Sequence, residues 1–145
     1  MSSSGDFAFV HLTEGVGAGL IVEGEIYHGA SGIAGEIGHT TIDPNGAVCR
    51  CGLTGCLEAM IGSPAVVQAA HGSNIEEVVD LALDQDPNAI DLLTKNGRYL
   101  GIALANLVNP DNHQSEAVLA RTEIDLRLGA AFTRMQTTAL QNKFD

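Results

Sequence analysis

The sequence predicts an α/β domain, with short strands in its N-terminal half and helices in its C-terminal half. Three observations predict it. The run Phe-Ala-Phe-Val-His-Leu over Phe7–Leu12 concentrates the aromatic and branched residues that suit a strand. All three cysteines fall within residues 49–56, which marks a compact loop in mid-chain. Beyond that loop, helix-start signals recur at Ser63-Pro64, at Ser73-Asn74 with Glu76 and Glu77, and at Asp86-Pro87.

Taken in order, the first strand is followed by a glycine-rich turn over residues 13–19. Residues 20–22 and 25–27 read as two short strands around Glu23-Gly24, an acidic residue-glycine pair that favours a tight hairpin. Residues 29–38 carry four glycines and read as a loop, and Asp43-Pro44-Asn45-Gly46 is a turn. One helix starts at Ser63, with proline at its first helical position. A second runs from Ser73 or Asn74 through Leu83. A third starts at Asp86-Pro87 and should end near Asn109-Pro110. Its apolar residues Ile90, Leu93, Leu100, Ala103, Leu104 and Leu107 follow helical spacing. Gly97 and Gly101 inside it predict a close helix contact or a break. Residues 117–128 have mixed periodicity, and residues 130–140 suit a helix.

Bulk properties narrow the function. With 145 residues and 45% hydrophobic content, the chain is long and apolar enough to build a core. Its net charge of −11, with seven scattered basic residues, argues against this segment holding nucleic acid. No apolar run approaches the roughly 20 residues needed to cross a bilayer, so no membrane contact is expected. Residues 1–5 lack the pattern of a signal peptide, and a cytoplasmic location is expected. An odd number of clustered cysteines suits metal ligation in a reducing compartment better than a disulfide framework.

Three groups of residues carry chemistry. The first is His39, Cys49, Cys51 and Cys56. Zinc favours thiolate and imidazole ligands in a tetrahedron. Gly52 and Gly55 allow the tight turns that aim several sulfurs at one point. Three thiolates and Zn²⁺ leave about −1 on a closed structural site, with no position open for catalytic water. On spacing alone, three buried free cysteines with an unrelated histidine is the alternative. The second group is Gly15, Gly17 and Gly19, a glycine loop whose backbone N–H groups could approach phosphate oxygens. It matches neither a dinucleotide-binding nor a Walker pattern, and a tight hairpin or bulge is its plainer reading. The third is Glu36, His39 and Glu58. Carboxylates accept two hydroxyl hydrogen bonds each, and a zinc-bound imidazole keeps one N–H to donate. The plainer reading makes Glu58 a first-turn helix acid and Glu36 a loop charge.

Together these motifs resemble the repressor, open-reading-frame, kinase family, called ROK. The stretch Leu12-Thr13-Glu14-Gly15-Val16-Gly17-Ala18-Gly19-Leu20, with Gly29, Gly35, Gly38 and His39, is similar to the family signature. Gly35-Glu36-Ile37-Gly38-His39 resembles its Glu-x-Gly-His element. Cys49-Arg50-Cys51-Gly52-Leu53-Thr54-Gly55-Cys56-Leu57-Glu58 resembles its cysteine motif. The resemblance covers about residues 7–110. It implies part of the second lobe of an actin-like (ribonuclease H-like), two-lobed sugar kinase fold. It implies zinc at His39, Cys49, Cys51 and Cys56, and sugar hydroxyl groups at Glu36, His39 and Glu58. In kinase members, the loop matching Gly15, Gly17 and Gly19 lies near the ATP phosphates.

The chain also departs from the family pattern. The Asp-x-Gly-x-Thr phosphate motif and the Asn-Asp pair of the kinases do not occur, so catalytic residues are expected to be absent and the chain alone inactive. The helix-turn-helix domain of the repressors does not occur either, so DNA contact is expected only through a domain outside this chain. Glu14 would place a negative charge beside any ATP phosphate, and Ala18 stands where kinase members often have glycine. The expected function is therefore effector sensing, by a sugar-binding fragment of a ROK transcriptional regulator with structural zinc. The alternative is a fragment of an ATP-dependent sugar kinase of the glucokinase or N-acetylhexosamine kinase type, for which ATP and Mg²⁺ would be cofactors. A small sugar and a second copy of the chain are the expected partners. The expected organisation is a disordered or vector-derived segment at 1–6, the sugar-binding lobe at 7–110 with its zinc loop at 39–56, and a divergent helical tail at 111–145. Where the family continues into an apolar strand after Asn109-Pro110, residues 111–121 show no strand pattern.

Overall fold

The computed structural model describes residues 7–107 and 116–119, the last four by their backbone. Four strands form one sheet in the order β3-β2-β1-β4: β1 is Phe7–Leu12, β2 Val16–Val22, β3 Glu25–Ile26 and β4 Glu116–Leu119. β1 and β2 are antiparallel in a register that pairs Val10 with Ala18 and Leu12 with Val16. β4 lies parallel to β1, pairing Phe7 with Glu116 and Val10 with Leu119.

Period-two alternation explains which face of this sheet meets the core. Ala8, Val10 and Val16 are buried, while Phe9 and His11 are exposed on the opposite face. The β2–β3 turn is Glu23-Gly24, with φ of 54° and 83°. Both values are left-handed, as the expected tight hairpin requires.

Two expectations from sequence need correcting here. The glycine-rich stretch is a turn only over residues 13–15, and Gly17 and Gly19 lie inside β2 opposite His11 and Phe9. Backbone pairing with β1 supplies the order that glycine lacks intrinsically. Residues 116–119 form a strand where the sequence showed no strand pattern. Their ladder to β1 comes from tertiary pairing with a partner at the other end of the chain. The expectations for residues 1–6, for the helix at 130–140 and for the helix end at Asn109-Pro110 lie outside the described residues.

The helices are α1 (Leu57–Ile61), α2 (Ser63–Ala70), α3 (Ile75–Leu83) and α4 (Pro87–Leu107). Pro64 opens α2 within its first turn, as expected. At α3 the Asn74 side chain accepts from Glu77 N–H at 2.9 Å, and the Glu77 carboxylate accepts from Ser73 N–H at 2.7 Å. Two otherwise unpaired donors are thereby satisfied. Asp86 caps α4 in the same way, accepting from Ala89 N–H at 2.9 Å.

α4 runs unbroken past Gly97 and Gly101. It buries Ala89, Leu93, Asn96, Leu100 and Ala103 along one stripe, at the alternating steps of four and three that keep residues on one helical face. Leu100 and Ala103 join Val10, Val16, Ile37, Leu57 and Ile61 in the main core, and Leu93 joins Val66 and Val78 in a smaller one. Each large apolar side chain so buried contributes about 2 kcal/mol. The short helix α1 bridges the two regions: it packs on α4 and α2, and on a 3-10 turn at Ile37–His39 that precedes the cysteine loop. Among the described residues, no helix is long and apolar enough to cross a membrane.

Candidate functional site

The 3-10 turn is pressed against β2. Gly35 carbonyl accepts from Ala18 N–H at 2.7 Å. A Cβ at Gly35 would overlap the Ala18 carbonyl, and one at Gly38 would overlap the Val16 carbonyl. These two glycines therefore set the depth at which Glu36 and His39 stand beside the strand. After His39 the chain turns outward into the cysteine loop and comes back to α1. Thr41 bridges Cys56, and Leu57 N–H donates to the Thr40 carbonyl at 3.0 Å.

Inside the loop, Cys49 N–H donates to the Leu53 carbonyl at 2.7 Å, and Gly52 N–H to the Cys49 carbonyl at 2.9 Å. Gly55 carbonyl accepts from both Ile42 and Asp43. Gly55 has a φ of +72°, and a Cβ there would overlap the Asp43 carbonyl. The loop thus closes only with glycine at this position.

This closure gathers His39, Cys49, Cys51 and Cys56, whose ligand atoms all lie within 4.8 Å of one another. His39 Nδ1 is 3.6 Å from Cys49 Sγ, and Cys51 Sγ is 3.6 Å from Cys56 Sγ. A tetrahedral zinc ion with bonds of about 2.3 Å to sulfur and about 2.0 Å to nitrogen has ligand–ligand edges of about 3.5–3.8 Å. The donor set and these distances fit zinc. The four residues would hold it, and it would supply a fixed charge and a rigid crosslink.

The cluster is electrostatically uneven without metal. The backbone hydrogen bond from Leu53 is the main influence that lowers the Cys51 thiol to about 7. Burial is the main influence that pushes the Cys56 thiol up to about 12. Cys51 is exposed, while Cys49 and Cys56 are buried. One thiolate therefore forms readily at the rim, and a positive ion would be needed to ionise Cys56 near neutrality.

The remaining candidates are distributed around this cluster. Glu36 is exposed at the start of the 3-10 turn and makes no side-chain cap bond. His39 turns Nδ1 to the sulfurs, which leaves Nε2 as the nitrogen free of the cluster. Glu58, in the first turn of α1, is buried to 9% exposure. Its Oε2 accepts from Val16 N–H at 3.0 Å, and its Oε1 lies 2.7 Å from Arg50 Nε. The plain reading of Glu58 as a helix-dipole acid is thus incomplete, because it also anchors the start of β2. Of the glycine candidates, Gly15 stands against this carboxylate, 3.2 Å separating Oε2 from the position of an added Cβ. Gly17 and Gly19 are paired in β2 with open space above them. Sequence reasoning missed Arg50 and the Val16 N–H. The one available signal was an arginine set between two cysteines near an acid.

Comparison with known proteins gives the site a family context. The ROK family profile matches residues 2–123. The chain is 35% identical over 120 residues to the xylose repressor of Bacillus spizizenii, covering 80% of this chain and 31% of the repressor. It is 36% identical over 106 residues to an N-acetylmannosamine kinase of Escherichia coli O127:H6, covering 70% of this chain and 36% of the kinase. Among solved structures, it superposes on the ROK hexokinase of Thermus thermophilus with a TM-score of 0.76 at 30% identity, covering 94% of this chain and 49% of the hexokinase. The chain spans about a third of the length of these curated relatives. Repressor and kinase stand at nearly equal identity. The fold is accordingly α/β and corresponds to part of the actin-like lobe of these proteins, with short strands first, then the Cys/His cluster, then helices.

Proposed function

The chain belongs to the ROK family, and from that premise we propose that it is the effector-sensing part of a sugar-responsive ROK transcriptional regulator. The observation that carries the reading is the arrangement of His39. Its Nδ1 faces the cysteine cluster at 3.6 Å from Cys49 Sγ, so a metal there fixes the tautomer and leaves Nε2–H as a donor. Glu36 and Glu58, on the adjoining 3-10 turn and helix, are acceptors. One donor beside two carboxylates suits the vicinal hydroxyl groups of a sugar.

In this reading zinc is held by His39, Cys49, Cys51 and Cys56. It braces the loop and contributes no catalytic step. Sugar binding favours one relative position of two lobes, and that position alters a DNA-binding domain carried elsewhere in the whole protein. Such a shift requires the sugar to bind the two positions unequally. Glu14 supports a regulator: it is exposed in the turn at residues 13–15, where its charge opposes a nucleotide phosphate. The kinase reading rests on one observation of its own, the open space above Gly17 and Gly19, which would admit a phosphate close to the backbone.

The test uses the intact protein that carries this chain. Calorimetric titration with D-xylose, D-glucose and N-acetyl-D-mannosamine should give saturable binding to at least one. Incubation of the same sugars with ATP and Mg²⁺ should give no sugar phosphate. ATP-dependent phosphorylation of any of them would overturn the regulator reading in favour of the kinase.

A further inference from the structure

Arg50 stands between two of the candidate metal ligands, yet its side chain turns away from them. Its Nε lies 2.7 Å from Glu58 Oε1, while Glu58 Oε2 accepts from Val16 N–H at 3.0 Å. The carboxylate is held at both ends, by a backbone donor from β2 and by a guanidinium carried on the cysteine loop. The partners differ sharply in exposure, 74% for the Arg50 side chain against 9% for that of Glu58. A carboxylate this buried is costly without a compensating charge. Gly15 confines the pair further: a Cβ there would lie 3.2 Å from Glu58 Oε2 and 3.8 Å from a terminal nitrogen of Arg50. Loop, helix and strand thus converge on one carboxylate.

We propose that Arg50 is a positioning residue for sugar recognition, fixing the Glu58 carboxylate against Val16 and tying its orientation to the folded cysteine loop. The inference rests on the reading of Glu58 as a sugar contact. A carboxylate offers about four acceptor positions. Val16 and Arg50 take one on each oxygen, which leaves one on each for ligand hydroxyl groups. The planar guanidinium sets direction as well as charge, whereas lysine would supply charge alone. Because Arg50 is largely exposed, its replacement leaves the apolar core intact.

The experiment compares wild type, Arg50→Gln, Arg50→Lys and Glu58→Gln in the intact zinc-loaded protein. The probe is whichever of D-xylose, D-glucose and N-acetyl-D-mannosamine gives saturable heat. Zinc content and the hydrogen-exchange rate of the Val16 amide are measured on the same samples. Arg50→Gln should keep its zinc, bind the sugar about tenfold more weakly and exchange the Val16 amide about tenfold faster, on the order expected for a charge-assisted hydrogen bond. Arg50→Lys should recover part of the affinity. Arg50→Gln with affinity and Val16 exchange within twofold of wild type would overturn the inference and leave the sugar reading standing. Loss of zinc from Arg50→Gln would also overturn it, since loop damage would then explain the weakening. A Glu58→Gln protein that binds sugar as wild type does would remove the reading of Glu58, and this inference with it.

Discussion

The imidazole of His39 meets the thiol of Cys49 at 3.6 Å across a gap of ten residues, while the Cys56 thiol donates to the carbonyl of the same histidine at 3.6 Å. One residue is thus gripped by side chain and by backbone. Cys51→Ser should therefore act beyond its own position. Loss of one thiolate should lower zinc affinity by at least about a hundredfold and free the His39 ring. Metal analysis after dialysis should show less than one ion per chain, and sugar affinity should fall with it. A zinc-free variant that binds sugar normally would separate the brace from the sugar site.

Removing the metal should reveal one reactive thiol. In the chelator-treated protein, Cys51 should be alkylated first by iodoacetamide, because its lowered value of about 7 puts it half in the thiolate form near neutrality. The rate should rise with pH and level off above about 8, as the thiolate fraction saturates. Cys56, raised to about 12, should stay unmodified while the fold holds. Mass mapping of alkylated peptides across pH, with and without zinc, reads both sites, and the zinc-loaded protein should be protected.

Gly52 and Gly55 both have positive φ, 90° and 72°, but only Gly55 lacks room for a Cβ. Gly52→Ala should cost about 1 kcal/mol from backbone strain alone. Gly55→Ala should cost about 3 kcal/mol or more, because the chain must also move away from the Asp43 carbonyl. Urea unfolding of the two zinc-loaded variants should separate them clearly, and equal midpoints would contradict the crowding at Gly55.

Glu58→Ala removes the acceptor of Val16 N–H and leaves Arg50 without its ion-pair partner. An unpaired buried donor and a lost charge-assisted bond together should cost about 2–4 kcal/mol. The change should appear as a lower urea midpoint and as faster exchange of the Val16 amide.

Asn74→Ala should cost about 1 kcal/mol through the lost cap of α3, with the Glu77 amide exchanging faster. Asn74→Asp should be close to neutral, since its carboxylate accepts the same bond.

Legibility from sequence followed the range of the interactions. The cysteine cluster was readable because ligand type and turn glycines sit within a few residues of one another. The caps at Asn74 and Asp86 were readable because they act over three residues. The hairpin at Glu23-Gly24 was readable because φ at both positions restricts composition. Gly17 and Gly19 misled, since glycine carries no strand preference and only the β1 ladder holds them extended. Residues 116–119 misled for the same reason, their partner lying at the far end of the chain. The engagement of Glu58 with Val16 spans 42 residues. No local pattern encodes it, so its anchoring role emerged only from the fold.

The position of β1 has a consequence for the order of events during synthesis. Among the described strands it is made before its partners β2 and β4, and the antiparallel hairpin with β2 can close soon afterward. Its other edge waits for residues 116–119, because Phe7 pairs with Glu116 and Val10 with Leu119. Pairings of such long sequence separation are slow to form, and an unpaired edge invites association with other chains meanwhile. The nascent chain therefore passes through a stage in which the hairpin, the cysteine loop and the helices are present while the sheet remains open on one side. A chaperone that covers extended backbone edges would meet its need at that stage.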